Sequence, residues 1–251
     1  MVTSTRTDLS SAGPALVVPT CGEVARAEVT RIEVTPDTCR LTHGPLAARR
    51  LRTGDPRTIR VALVATQALL LTGDHVRIEI DVRGDITLQI VEIAGTVAYD
   101  MRGGSARWDA QVRLADGARL VWLGEPFVVA TGAEVVRSTT LDLERGTSAT
   151  LRESLVIGRS GEEGGSLVVS MRVTYDGQPL LVEDLDLSPI ARTGLAVLGQ
   201  GRCLDSLTRL GDRLPDQPGI LQLAGPGSIL RWIGSAMHES TIRPSAASQK
   251  S

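Results

Sequence analysis

Carboxylates and a histidine that stand among apolar residues are the side chains of this sequence best suited to chemistry. Glu92 lies in the string Ile-Val-Glu-Ile, Glu153 shortly precedes Leu-Val-Ile, and Asp74 and His75 follow three consecutive leucines. A charge in an apolar strand is costly unless it has a partner. These acids therefore face solvent, pair with arginines such as Arg152, or line a polar channel or interface. Imidazole and carboxylate groups can bind a borderline divalent cation, and dispersed ligands of this kind would hold it weakly.

The histidines and the cysteines give less support for a site than the carboxylates do. Asp74 could fix the tautomer of His75, although an exposed histidine at the start of a strand is the commoner arrangement. No histidine lies within a helical turn of another, so a closed zinc site has little support. The three cysteines are far apart and include no Cys-x-x-Cys pair, which argues against a secreted disulfide framework.

Familiar catalytic motifs are missing from the sequence. It has no phosphate-binding loop, no His-Glu-x-x-His and no Gly-x-Ser-x-Gly. We therefore predict that this chain binds no nucleotide itself and is not an enzyme. Two alternatives stay open: a β-solenoid hydrolase with paired carboxylates, which the scarcity of aromatic residues disfavours, and a β-rich binding module with no metal role.

Composition indicates a soluble chain with an aliphatic core. Of 251 residues, 42% are hydrophobic but only 2% are aromatic, so Val, Leu, Ile and Ala must fill the core. A net charge of −2, without basic clusters among aromatic residues, argues against a nucleic-acid partner. The sequence shows no apolar stretch long enough for a bilayer and no apolar signal core near its start. We therefore predict a cytoplasmic protein without a membrane partner.

Period-two alternation of apolar residues is the main structural signal of the chain. It predicts half-buried strands over residues 76–82, 86–90, 108–114, 118–122 and 167–173. Asp116-Gly117 and Asp176-Gly177 are typical of tight hairpin turns. The short strand lengths usual for sheets give about 15 strands in all.

A weak repeat accompanies these strands. Gly84, Gly117 and Gly146 each close a turn before a strand, at spacings of 33 and 29 residues. Coiled β architectures produce such a rhythm, and so does an ordinary meander. We predict a mainly β fold, a stacked or β-helical arrangement of many short strands, with about two C-terminal helices.

The two helices are predicted from the last third of the chain. Leucines at 204, 207 and 210 have helical spacing, and Ser228 could cap a second helix. Their apolar faces are candidate partner contacts, although amphipathic helices usually bury such faces in their own protein. The candidate contact residues are Leu204, Leu207, Leu210, Ile233 and Met237. We expect flexible tails at residues 1–19 and 242–251 around a single domain at 20–241.

Several short motifs occur in an order that resembles the urease accessory protein family UreD, also called UreH. The resemblance covers roughly Leu46 to Arg209 and rests on Gly73-Asp74-His75, Trp122-Leu123, Thr131-Gly132-Ala133, Arg152-Glu153 with Gly158-Arg159, and Asp176-Gly177. The chain departs from the usual family pattern at Thr72, at residues 91–97 and at residues 124–126. At the last of these the acid is displaced by one residue, which in a strand would move it to the other face.

The resemblance implies a non-enzymatic scaffold for nickel delivery to urease. Similar proteins form a twisted stack of strands with two helices and bind a UreF-type partner, which recruits a UreG-type GTPase. The assembly docks on apo-urease, and nickel is thought to pass through a tunnel in the UreD-like subunit. By this resemblance, Asp74, His75, Glu92 and Glu153 become candidate residues for Ni²⁺ transit.

Overall fold

The computed structural model describes residues 29–194 and 197–243. These residues form seventeen strands and two short 3₁₀ turns, joined by turns and loops. The strands form two sheets. The first sheet contains β1 (Thr30–Val34), β2 (Cys39–Thr42), β5 (His75–Arg83), β8 (Ala106–Ala115), β11 (Glu134–Leu143), β13 (Ser166–Tyr175) and β14 (Gln178–Asp186). The second contains β3 (Leu46–Leu51), β4 (Thr58–Ala65), β6 (Thr87–Glu92), β7 (Thr96–Ala98), β9 (Arg119–Leu123), β10 (Phe127–Val129), β12 (Ser148–Ile157), β15 (Cys203–Leu210), β16 (Ile220–Gln222) and β17 (Gly227–Gly234).

The chain coils by alternating between the two sheets. In the first sheet β5, β8, β11 and β13 are parallel neighbours, and in the second β4, β6, β9 and β12 are. Gly84, Gly117 and Gly146 lie at successive corners with positive φ angles of 88°, 82° and 84°, a conformation that favours glycine. The spacing of these glycines therefore reflects successive coils, and the predicted stacked β arrangement is confirmed.

The two Asp-Gly turns have different outcomes. Asp176-Gly177 joins β13 to its antiparallel neighbour β14, so that hairpin is confirmed. The prediction of a hairpin at Asp116-Gly117 is wrong, because β9 leaves the first sheet and pairs with β6 and β12 of the second. The backbone N–H of Arg119 donates to Ile86 O at 2.9 Å, which draws the chain across at this corner.

The predicted alternation places one continuous aliphatic core between the sheets. Val76, Ile78, Ile80 and Val82 of β5 are all buried, and the intervening residues are more exposed. Three of the aromatic residues, Trp108, Trp122 and Phe127, lie within this core, where Trp108 and Phe127 pack edge to face with ring centroids 5.9 Å apart.

The two C-terminal helices of the sequence prediction are wrong, because these segments form strands. Leu204, Leu207 and Leu210 lie on β15 between β12 and β17, and Ile233 lies on β17. Nearly every residue of β15 is buried, since its outer face is also covered. Apolar residues consequently occur on both faces of β15, and their spacing imitates a helix. The helical turns that are described span only Ala191–Thr193 and Met237–Glu239.

The segment after β17 covers the outer face of β15. Ser240 donates to the buried carboxylate of Asp205, and Ile242 is 1% exposed. The expected N-terminal tail lies outside the described residues, and the expected C-terminal tail is described only at Ile242 and Arg243. None of the helical segments within the described ranges is long and apolar enough to span a bilayer.

Candidate functional site

A row of polar residues crosses the inner face of the second sheet. The strand register aligns Glu153 with Ser206, and Ser206 with Arg231. Gly124 and Glu92 extend this row across the ends of β9 and β6. A Cβ atom placed on Gly124 would lie 2.8 Å from the Arg152 carbonyl oxygen and 3.7 Å from Glu92 Oε1, so the lack of a side chain at Gly124 keeps the space beside that carboxylate free. We call Glu92, Gly124, Glu153, Ser206 and Arg231 the polar row.

Two ion pairs join the polar row to the first sheet. Arg137 of β11 donates to Glu153 Oε1 through Nε at 3.1 Å and through a terminal nitrogen at 3.0 Å. Arg231 donates to Glu183 of β14 at 2.9 Å and to Ser206 Oγ at 3.1 Å. All four charged side chains are less than one quarter exposed. Glu153 and Arg231 consequently each have an oppositely charged partner on the first sheet, as burial requires.

Two aromatic rings also hold the guanidinium of Arg137. Its central carbon lies 5.4 Å from the ring centroid of Trp108 and 4.9 Å from that of Phe127. Both distances are within the range of cation–π attraction. Arg137 is therefore fixed by three groups at the centre of the molecule.

Glu92 is at the other end of the polar row from Arg231. Its carboxylate accepts hydrogen bonds from the Trp122 indole at 2.8 Å and from the backbone N–H of Glu125 at 2.9 Å. Burial raises the pKa of Glu92, because it disfavours the charged form, while these two donors and Arg137 oppose the shift. Glu92 is thus a carboxylate that takes up a proton more readily than an ordinary glutamate.

Two cavities meet at Glu92. The outer one opens at the surface, has a volume of about 220 Å³ and has mostly apolar walls, including Leu63, Ile93 and Trp108. The inner one, about 20 Å³, is bounded by both sheets and reaches Glu153. That inner volume has room for about one water molecule. Glu92 lines both cavities, so they adjoin at this carboxylate, and we call the two cavities together the passage.

Asp74 and His75 lie elsewhere. The Asp74 carboxylate accepts from the backbone N–H of Leu71 at 2.9 Å and closes a turn before β5. His75 Nε2 lies 2.5 Å from Asp109 Oδ2, on the outer face of the first sheet. The structure thus brings Glu92 and Glu153 to one passage and separates both from Asp74 and His75. Within residues 29–194 and 197–243, no three His, Cys, Asp or Glu side chains are grouped as metal ligands.

The predicted partner contacts differ in exposure. Leu204 and Leu207 are 4% exposed and Leu210 is fully buried, so burial in their own core removes the support for a contact face there. Ile233 is 42% exposed, whereas Met237 is half-buried.

Sequence reasoning missed Arg137, Glu183 and Arg231. A signal was present for Arg137: it shares its strand parity with the buried Val135 and Leu141, so alternation alone places it on the inner face. No comparable signal exists for Arg231, whose partner comes from the other sheet through a fold that the sequence pattern does not specify.

Fold and site together define a class of protein: a stacked β-coil with two cavities that adjoin at a carboxylate, Glu92. A profile of the UreD urease accessory protein family matches residues 28–238. The UreD 1 urease accessory protein of Streptomyces griseus subsp. griseus is 47% identical over 178 residues, 70% of each chain. The UreD protein of Streptomyces avermitilis is 35% identical over 197 residues, 77% of this chain and 78% of its own. The chain belongs to the UreD urease accessory protein family.

Proposed function

We propose that this chain is a non-enzymatic scaffold of urease maturation and that its passage conducts Ni²⁺ towards the urease active site. One observation carries the proposal: Glu92 belongs to both cavities and leads from the surface pocket to Glu153. Membership of a urease accessory family supports the choice of urease as the recipient. Nickel is cargo here and does not stay.

The charges along the passage suit a cation in transit. The inner cavity is lined by two carboxylates, Glu92 and Glu153, and by two guanidinium groups, Arg137 and Arg152, so their formal charges balance. Walls of low dielectric strengthen the attraction of each carboxylate for a cation that reaches it. Single carboxylates bind Ni²⁺ weakly, and a weakly bound ion can move on.

The proposed assembly supplies what this chain lacks. A UreF-type partner would bind the scaffold and recruit a UreG-type GTPase, which would bind and hydrolyse the nucleotide. The scaffold would then dock on apo-urease in the cytoplasm. Ile233 on β17 is exposed and Met237 is half-buried, and we assign them to partner contact. We assign Asp74 and His75 to a separate step, contact with the cation at the outer surface.

Urease activation tests the proposal directly. We would co-express the chain with urease and its other accessory proteins, then measure complex formation, urease activity and nickel content. Glu92→Gln and Glu153→Gln remove a charge but preserve shape. Both are expected to keep the complex and to lower the nickel content of urease at least tenfold. Full activation by the double variant would overturn the proposal.

Two sets of control variants locate the effect. Glu125→Gln changes an exposed acid next to the passage and is expected to leave activation unchanged. Asp74→Asn and His75→Gln test the outer face separately. If only these two reduce activation, nickel follows the outer face and the interior passage is not its route.

A further inference from the structure

We propose that Arg137 is a gate that closes the passage at Glu153 and must be displaced before a cation can move further. This inference rests on the proposed function, because it assigns a control element to the same passage. Arg137 itself bounds the inner cavity, opposite Glu153 and beside Thr139. Its guanidinium therefore occupies the space through which cargo would travel.

The available volume makes displacement necessary. The inner cavity holds about 20 Å³, close to the space of one water molecule. Ni²⁺ carries several water or protein ligands at once, so it cannot pass the guanidinium in this conformation. The outer cavity is about ten times larger, 220 Å³ against 20 Å³, so the constriction lies beyond Glu92.

Because of their charges, the cation and the guanidinium of Arg137 would exchange places at Glu153. The guanidinium of Arg137 is permanently protonated and uses Glu153 as its counter-ion. A dication at Glu153 would repel it strongly in these buried surroundings. Arrival of the cation and departure of Arg137 are therefore coupled. Without cargo the same ion pair prevents Glu153 from capturing stray cations.

The aromatic rings give the gate a defined closed position. Trp108 and Phe127 flank the guanidinium of Arg137, at 5.4 and 4.9 Å. Cation–π contacts hold a guanidinium without a second full negative charge. Arg137 therefore has one ion pair to break, that with Glu153, before it can leave its place between the two rings.

A purely structural ion pair is the competing explanation, and the molecule contains a matched example. Arg231 and Glu183 also join the two sheets, at 2.9 Å, with both side chains less than one quarter exposed. Arg231 has no cation–π contact among the described residues and does not border the inner cavity. If both pairs only fasten the sheets, Arg137→Gln and Arg231→Gln should have the same effects.

Nickel binding by the purified full-length chain distinguishes the two explanations. We would measure equilibrium dialysis with Ni²⁺ alone at neutral pH and thermal unfolding in parallel. Arg137→Gln is expected to bind Ni²⁺ at least tenfold more tightly than the wild type, and Arg137→Gln with Glu153→Gln is expected to lose that gain. Arg231→Gln is expected to bind as the wild type does. A folded Arg137→Gln variant with wild-type binding would overturn the gate.

A second variant covers the case in which Arg137→Gln does not fold. Arg137→Lys keeps the charge and loses the planar contact with both rings, so the affinity of this variant for Ni²⁺ should be two- to fivefold higher than that of the wild type. Unchanged binding by this variant would overturn the gate. The activation assay separates the two proposals. Normal activation by the double variant Glu92→Gln with Glu153→Gln rejects the passage. Loss of activation by that double variant, together with wild-type Ni²⁺ binding by Arg137→Gln, rejects only the gate.

Discussion

The indole N–H of Trp122 donates a 2.8 Å hydrogen bond to the carboxylate of Glu92 on the neighbouring strand. A backbone N–H from Glu125 donates to the second carboxylate oxygen at 2.9 Å. Two neutral donors only partly replace the water that burial removes, so the pKa of Glu92 is raised above its ordinary 4.5. The passage consequently begins at an acid whose charge depends on pH.

Replacing Glu92 should change how the stability of the protein depends on pH. Because the folded protein holds this proton more tightly than the unfolded chain, wild-type stability falls as pH rises from 4.5 through the raised pKa. Glu92→Gln removes that decline. The difference in free energy of unfolding between variant and wild type should therefore grow in favour of the variant across this window, as measured by urea denaturation at stepped pH.

Glu125→Gln provides the comparison for this experiment. Glu125 is exposed, and it adjoins the same passage. Its charge adds to the rise in the pKa of Glu92, so its replacement should weaken the decline of stability with pH but not abolish it. A Glu92→Gln profile parallel to the wild-type one would show that Glu92 titrates normally, and the account of its burial would then be incorrect.

The buried carboxylate of Asp205 is expected to hold the C-terminal segment in place. It accepts hydrogen bonds from Arg152 at 3.0 and 2.8 Å, from Ser154 at 2.8 Å and from Ser240 at 2.5 Å. Removing one partner of a buried ion pair commonly costs about 3 kcal/mol. Asp205→Asn should therefore lower the free energy of unfolding by about this amount and speed amide hydrogen exchange in residues 235–243.

The pKa of Asp205 also determines how the stability of the protein should change at acidic pH. Burial opposes its charge, but the donors from Arg152, Ser240 and Ser154 outweigh that effect and lower its pKa. The stability it contributes is present above 3.8 and is lost as pH falls through the lowered pKa. Asp184→Asn is the control, because it breaks an exposed pair with Arg172, which is worth less than about 1 kcal/mol. Equal losses in both variants would refute the role of Asp205.

The strands could be predicted from the sequence, whereas their distribution between two sheets could not. Alternation requires only the local pleat, so β5 and β13 follow the pattern closely. The aspartates of the two Asp-Gly turns have nearly the same φ angle, 56° at Asp116 and 53° at Asp176. The turn at Asp116 nevertheless forms a corner between the sheets, whereas the turn at Asp176 forms a hairpin. The difference depends on which neighbouring strand offers free backbone groups, and that is set by the whole coil.

The same reason limits prediction of the site. Glu92 and Glu153 stood out because each is a charge in an apolar string, and both lie at the passage. His75 was likewise a candidate residue for cation transit. Its side chain lies on the outer face at the start of β5, because its neighbour Val76 takes the inner position. The partners Arg137 and Arg231 come from contacts between distant strands, which local spacing does not encode.

The exposed loop after β12 offers a direct pKa measurement. Glu162 accepts from the Arg159 side chain at 2.8 Å and from the backbone N–H groups of Arg159 and Thr131. These donors, the Arg159 side chain foremost, lower the pKa of Glu162 to about 2. The support that this carboxylate gives the loop is present above 4.5 and is lost as pH falls through about 2.

A carbon-detected NMR titration would test this value. The Glu162 carboxyl signal should have its midpoint near 2 in the wild type, and Arg159→Gln should move it towards 4.5. Arg145→Gln, which changes a different exposed arginine, should leave the midpoint where it is. A wild-type midpoint near 4.5 would mean that Arg159 and Glu162 do not remain paired in solution.

Gly124 provides a steric test of the passage that changes no charge. An added Cβ would lie 2.8 Å from the Arg152 carbonyl oxygen and under 4 Å from both oxygens of Glu92, so it would fill the open space beside that carboxylate. Gly124→Ala should lower the free energy of unfolding by about 1–3 kcal/mol through overpacking. It should also slow nickel-dependent urease activation by more than this stability loss explains.

Gly54→Ala separates these effects, because no atom lies within 4 Å of a Cβ added at Gly54. It should preserve both stability and activation. The activation assay is run at a temperature well below the unfolding transition of the Gly124→Ala variant, so that this variant remains folded throughout. If that folded variant activates urease at the wild-type rate, the space beside Glu92 is not part of the nickel route.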